Sequence, residues 1–311
     1  DSGIQVSLPD GSSKPFPAGT TVLQVAESIG PGLARAALAG KVDGQAVDLN
    51  YTLDADASVE LLTFSSDEGK EVYWHSTAHI MAQAVQDLYP GTKVTIGPPI
   101  DTGFYYDFDR EKPFTPEELE SIETRMRAVI KENQAFERLE VTREEAMQIF
   151  SDLEEPYKVE ILEEIEPGET ISIYKNEGNW CDLCRGPHVP GTSRIKAVKL
   201  LSSSGAYWRG DEGNKMLQRI YGVSFPDKKE LKAHLEKIEE AKRRDHRVLG
   251  QQLDLFSIND SVGPGLVLWH PKGARIRSEI EDFWRKAHFE GDYELVGSPH
   301  IGRSTLWETS G

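Results

Sequence analysis

The sequence predicts an α+β protein of more than one domain, and three observations carry that expectation. Its 311 residues suffice for two or three domains at roughly 150 residues each. Near the start, short apolar runs alternate residue by residue and are broken by Pro, Asp and Gly, as in half-buried strands. From about residue 70 onward, apolar positions recur every three or four residues over longer stretches, as in helices. Composition narrows the classes further. The chain is 38% hydrophobic and 28% charged, ordinary for a globular protein, and no apolar stretch nears the roughly 20 residues that a membrane span requires. No basic segment followed by an apolar one opens the chain at Asp1, so nothing directs it to secretion. Two cysteines cannot staple a chain of this size, and their scarcity suits a reducing, cytoplasmic setting.

Taken in order, residues 1–64 read as a small α+β unit. Ile4, Val6 and Leu8 alternate with polar neighbours, Pro9-Asp10-Gly11 turns, and Lys14 to Phe16 returns. Thr20-Thr21 caps a helix carrying Val22, Leu23, Val25, Ala26 and Ile29, and apolar runs follow at Val42 to Val47, around an Asp43-Gly44 turn, and at Val59 to Phe64. Strand, turn, strand, helix, strands predicts a β-grasp shape, and with no ionisable cluster the unit reads as a binding or spacer module. Ser65 to Gly69 is a polar bridge within a second domain over 65–225, whose first helix begins near Lys70 and ends at Pro90-Gly91. Phe104-Tyr105-Tyr106 predicts a strand, Pro116 to Asn133 a helix with acidic residues in its first turn, and Thr170 to Tyr174 and Lys196 to Leu201 two more strands. Asp227 to Leu249 predicts one charged linker helix, within a linker over 226–250. A third domain, 251–311, opens with Gly263-Pro264-Gly265 and Pro271-Lys272-Gly273 before a helix from about Ala274 to Phe289.

The net charge of −17 excludes a nucleic-acid coat over the whole surface. Its distribution says more. From Asp109 to Glu169 there are 19 acidic and 8 basic residues, a balance of −11, whereas from Cys184 to Arg247 there are 15 basic and 8 acidic, a balance of +7. The second stretch would draw a polyanion and the first repel it; two solvated helical faces of opposite sign account for the same counts.

Chemistry concentrates in two places. His75-Ser-Thr-Ala-His79 puts two imidazoles at i and i+4 on one helix face, where they converge on a metal, a water or a substrate. About a hundred residues later, Cys181-Asp182-Leu183-Cys184-Arg-Gly-Pro-His188 sets thiols, a carboxylate and an imidazole around a Gly-Pro loop. Two histidines from a helix with Cys184 and His188 suit tetrahedral zinc, and equally suit a metal-free hydrolytic pocket whose imidazoles position water and move protons. Cys181 and Cys184 form a CxxC pair, yet neither a thioredoxin-like context nor a second CxxC accompanies it.

These motifs, in this order, resemble the editing region of the threonyl-tRNA synthetase family, shared in outline with alanyl-tRNA synthetases, and the resemblance runs over essentially the whole chain. Residues 1–64 are similar to its TGS module. Thr95 through Gly97-Pro98-Pro99 to Phe108 resembles its pocket strand. Gly263 through Trp269 to Ala274 resembles the opening of its class II catalytic domain, and Arg275 onward, with Gly291 and Pro299, its motif 1.

What the resemblance implies is carried over by position. His75, His79, Cys184 and His188 match the editing quartet, Asp182 its neighbouring acid, and Tyr106 and Lys158 residues lining the pocket. On this reading an imidazole orients the water that hydrolyses serine mischarged onto the tRNA for threonine, while Lys158 stabilises oxyanion charge; a surface ion pair is the alternative for Lys158 and for Asp182. Serine lacks one methyl of threonine, worth only about 1–3 kcal/mol or roughly 10–200-fold in discrimination, hence a second, hydrolytic sieve. The basic stretch would hold the tRNA.

The family's threonine–tRNA ligation uses ATP, Mg and a catalytic-domain zinc. The residues for these, in motifs 2 and 3, are not found before Gly311, so the chain reads as an N-terminal portion that edits without activating threonine. The full-length enzyme is expected to be a homodimer through the class II domain, and Cys181 is assigned no role. A freestanding trans-editing deacylase is the nearest rival, disfavoured by the motif 1 region. A non-catalytic tRNA- or zinc-binding module predicts metal retention without turnover, and a redox pair predicts a reversible change in thiol count.

Overall fold

The computed structural model describes residues 3–176, 180–259, 261–263 and 265–310; of the positions named above, Asp1, Pro264 and Gly311 lie outside the described residues. The chain divides into two compact units, one up to His234 and one from Leu235 onward.

Within the first unit, the N-terminal 63 residues form a mixed five-stranded sheet. Strand Gly3–Ser7 lies centrally, antiparallel to Ser13–Pro17 and parallel to Ala57–Thr63, which pairs in turn with Ala37–Val42 and that with Gln45–Val47. Helix Val22–Ile29 packs on it because its apolar side chains Val22, Val25 and Ala26 meet Ile4, Val6 and Val59. Thr21 starts that helix with a reciprocal capping box to Gln24. This is the β-grasp arrangement expected from the pattern, with Asp43-Gly44 turning at positive φ.

The next element is the scaffold of the site. The long helix Asp67–Leu88 begins three residues before Lys70, because Ser66 accepts the Gly69 N–H as N-cap and Asp67 and Glu68 occupy the first turn. The supposed polar bridge is thus mostly helix. Fourteen of its residues are buried, since it is covered on several sides: by a sheet ordered Ala197–Tyr207, Met216–Phe225, Gly103–Asp109 and Lys93–Val94, and by helix Pro116–Glu132. The expected Lys196–Leu201 strand is longer, and its partner Met216–Phe225 was not anticipated. A second, three-stranded sheet joins Phe136–Val141, Ile171–Asn176 and Cys181–Leu183, flanked by helices Arg143–Asp152 and Pro156–Glu164. Cys181 and Asp182 therefore sit on a strand rather than in the expected loop.

In the second unit, strands Phe256–Ile258 and Val267–Trp269 pair, and helices Pro271–Glu290 and Ser304–Ser310 follow. The single linker helix expected over Asp227–Leu249 is two, Lys228–Arg243 and His246–Gln252, because Asp245 turns out of the first and caps the second by accepting the Arg247 N–H. Among the described residues, no helix is long and apolar enough to cross a membrane.

Part of the charge asymmetry is met by ion pairs between the two stretches. Arg185 pairs with Glu169, Lys199 with Glu123, Arg209 with Glu160 and Glu164, and Lys215 with Asp109. Four of the fifteen cations of the basic stretch are thus paired with the acidic one. Further on, Lys242, Arg243, Arg244 and Arg247 pair with acids of their own segment.

Candidate active site

Helical periodicity brings His75 and His79 to one face of the long helix, with ring centroids 5.0 Å apart. The strand Cys181–Leu183 and the turn after it deliver Asp182, Cys184 and His188 to the same place. Cys184 Sγ lies 3.3 Å from His75 Nε2 and 3.3 Å from His188 Nε2, and the Gly186 N–H donates to it at 3.2 Å. His188 stands 4.3 Å from His79 and 4.5 Å from His75, centroid to centroid. Gly186 is obligatory in this turn: its φ is +69°, and a Cβ would fall 1.9 Å from the Tyr174 hydroxyl.

Lys158 and Asp182 form a buried ion pair, each about 2% exposed, with Nζ 2.6 Å from Oδ1. The alternative of a surface pair is thereby overturned. The Lys158 ammonium also donates to Thr95 O and to Tyr106 Oη, so its three protons are committed. Tyr106 donates to Asp182 Oδ2 at 2.7 Å, and His79 Nε2 lies 3.6 Å from that oxygen. Lys158 and Tyr106 thus hold Asp182 beside the edge of His79.

A cavity of about 380 Å³ opens onto these groups, bordered by His75, His79, Lys158, Asp182 and Cys184 and by apolar walls from Ile96, Ile161, Ile171 and Leu183. Tyr106 and His188, each 1% exposed, stand behind it. Tyr106 therefore supports the wall instead of forming it. Cys181 packs with Leu183 in a small apolar cluster that includes Phe150 and Ile173, and burial first, then the Asp182 charge, pushes its thiol up to about 11.

Burial dominates the electrostatics. It pushes His75 down to about 4, partly opposed by the Asp182 carboxylate and reinforced by Lys158. His79 and His188 fall well below the ordinary imidazole range, from burial first and then from neighbouring imidazoles. The Cys184 thiol is raised by burial. At neutral pH the site thus holds three neutral imidazoles and a thiol beside one carboxylate–ammonium pair. Neutral imidazoles accept protons, which suits positioning a water.

The four donor atoms all lie within 4.8 Å of one another. One sulfur and three nitrogens that close together fit a zinc ion. Four protein ligands fill the tetrahedron and leave no position for a substrate, the arrangement of a structural ion rather than a catalytic one.

Several contributors escaped the sequence. Ser76 accepts from the Val189 N–H at 3.0 Å and meets His188 Nδ1 at 3.0 Å. Phe136 stacks on His188 at 4.9 Å and 8°, and Tyr174 packs edge-on at 4.4 Å. Only Ser76 carried a signal, by lying inside the His75–His79 motif.

Comparisons with known proteins agree with this geometry. Residues 4–63 match the TGS domain family, and residues 171–221, which include Asp182, Cys184 and His188, match the threonyl and alanyl tRNA synthetase second additional domain. A threonine–tRNA ligase of Pelobacter propionicus is 55% identical over 310 residues, all of this chain and 48% of that protein. Along its whole length the chain is similar to threonine–tRNA ligases. Similar enzymes from Desulforamulus reducens and Nitrosococcus oceani are 55% and 53% identical, over 99% and 98% of this chain and 48% and 47% of theirs. The chain spans about half the length of the threonine–tRNA ligases it matches.

Proposed function

We propose that this chain hydrolyses the ester of serine mischarged onto the tRNA for threonine. The observation that carries the reading is the convergence of His75, His79, Cys184 and His188 at the wall of a cavity large enough for an aminoacyl group. In this mechanism His75, neutral and bordering the cavity, takes a proton from the water that attacks the ester carbonyl and returns it to the ribose oxygen as the ester C–O bond breaks, releasing serine and free tRNA. Asp182 lies beside the His79 edge, and Lys158, which also borders the cavity with its protons already committed, offsets the Asp182 charge, so that the oxyanion does not develop beside an uncompensated carboxylate. The apolar walls admit serine, and the extra methyl of threonine is the group they would have to refuse. A zinc ion held by the quartet would fix its rings and acidify Cys184, but it would also occupy the His75 lone pair, so the base role assigned to His75 requires the quartet to be free of metal.

From the family we further propose that the full-length enzyme joins threonine to its tRNA with ATP and magnesium, as a homodimer, and that residues 226–250 link the editing domain, 65–225, to the beginning of a class II domain. No residue of this chain is assigned to the ligation step.

Hydrolysis of Ser-tRNA by the chain and by His75→Ala, with and without chelator, tests the reading. Turnover that survives chelation and falls at least about a hundredfold in the variant supports it. Turnover lost on chelation assigns the quartet to zinc, and binding of tRNA without turnover would leave a binding module.

A further inference from the structure

We propose that Asp48, on the β-grasp sheet, is a positioning residue for His188, so that the N-terminal domain is a working part of the hydrolytic site; the proposal rests on the deacylase reading above. Asp48 follows strand Gln45–Val47 and reaches out of its own domain. Its Oδ1 accepts the His188 N–H at 2.8 Å, and its Oδ2 accepts the Tyr174 hydroxyl at 2.7 Å. These two bonds act on one imidazole from two directions. The first fixes the backbone that carries His188, and the second fixes the phenol ring packed against it at 4.4 Å. With Phe136 stacked on the ring and Ser76 at Nδ1, the imidazole is held on every side that does not face Cys184 and the other histidines.

A positioning residue must itself be held, and Asp48 is. The next residue, Leu49, is buried, and its carbonyl accepts the Leu23 N–H at 2.8 Å, while Tyr51 O accepts the Val22 N–H at 3.0 Å. The domain is seated firmly as well. Leu38, Ala39 and Leu62 belong to the same apolar cluster as Tyr73, Trp74 and Val189, Lys41 pairs with Glu68, and Arg194 donates to the carbonyls of Ala34 and Arg35. A carboxylate accepts on both oxygens, so Asp48 meets the amide and the phenol hydroxyl together without donating to either. Asp48 does not border the cavity. Its effect must therefore pass through His188, and that separates rate from binding.

The test is steady-state hydrolysis of Ser-tRNA by the wild-type chain and by Asp48→Ala, Asp48→Asn and Tyr174→Phe, with melting temperatures alongside. A hydrogen-bonded carboxylate of this kind predicts that Asp48→Ala lowers kcat at least about tenfold while KM stays within about twofold. Asp48→Asn, which keeps one acceptor, should retain more activity than Asp48→Ala. Tyr174→Phe should fall less than Asp48→Ala, and the double variant no further than Asp48→Ala alone. A wild-type kcat in a normally melting Asp48→Ala variant overturns the proposal; if that variant does not fold, an unchanged kcat in both Asp48→Asn and Tyr174→Phe does so. A wild-type chain without hydrolytic activity refutes the deacylase reading alone. The Asp48 proposal is then decided by 15N spectra of the His188 imidazole: a shift in Asp48→Asn and Tyr174→Phe upholds it, and unchanged spectra overturn it.

Discussion

At the scale of single residues, the site is governed by burial without charge on its imidazoles and by charge balance between Lys158 and Asp182. His75 is held near 4, and His79 and His188 well below the ordinary imidazole range, whereas the unfolded chain titrates near the ordinary imidazole value of about 6.5. The unfolded state therefore binds more protons than the native state as pH drops below about 6.5, and stability falls from there toward pH 4. Urea unfolding of the chain at pH 7.5, 6 and 5 checks this, with a flat stability across that range contradicting it. The ion pair gives a second expectation. Asp182→Asn leaves a buried ammonium uncompensated and should cost about 3–5 kcal/mol, while Asp182→Asn with Lys158→Met should cost less than Asp182→Asn alone. Denaturant midpoints of the single and double variants decide it. These residues also mark what the sequence can reveal. His75 and His79 were legible because helical spacing is local, and Asp182, Cys184 and His188 because they lie within seven positions of one another. Asp48 and Tyr174 were not, since nothing nearby in the chain distinguishes them from any other carboxylate or strand tyrosine; only the packing of one domain on another gives them a task.

At the scale of elements, local chemistry set the ends that were read correctly and tertiary packing set the rest. Thr21 and Thr115 cap their helices by reciprocal boxes with Gln24 and Glu118, signals visible in the sequence. Thr115→Ala should accordingly lower stability by about 1 kcal/mol without changing hydrolysis. By contrast, the partner of the Lys196–Leu201 segment was missed because Met216–Phe225 mixes buried and half-buried residues instead of alternating cleanly. The linker was read as one helix because its charge pattern continues through Asp245, whose capping bond is a matter of side-chain geometry. The turn from Cys184 to His188 is the element on which activity should depend most. Gly186→Ala meets both a left-handed backbone and the Tyr174 hydroxyl, so it should displace Cys184 and His188 and lower kcat more than it lowers the melting temperature. A full-rate Gly186→Ala chain would show that the turn is tolerant.

At the scale of the whole molecule, the two oppositely charged stretches of the sequence answer each other in part. Pairs such as Arg209 with Glu160 and Glu164, and Lys215 with Asp109, leave fewer cations for RNA than the sequence count implied. Binding of tRNA by the chain should therefore depend weakly on salt, with log affinity against log salt no steeper than about −3, whereas six or more phosphate contacts would give a slope beyond about −4. Filter binding between 50 and 200 mM salt, concentrations chosen for the assay at about physiological range, measures it. The fold class was legible at this scale because strand and helix periods segregate along the chain; the joining of the β-grasp sheet to the histidine site was not, because it rests on contacts between residues more than a hundred positions apart, such as Asp48 with His188. The central claim, that this cavity is a sieve which hydrolyses the smaller ester, is tested most directly by comparing Ser-tRNA and Thr-tRNA, both on the threonine acceptor, as substrates of the chain. The account predicts faster hydrolysis of the serine ester by at least about tenfold in kcat/KM, the worth of one methyl. Equal rates on both esters, or hydrolysis of neither, would contradict it.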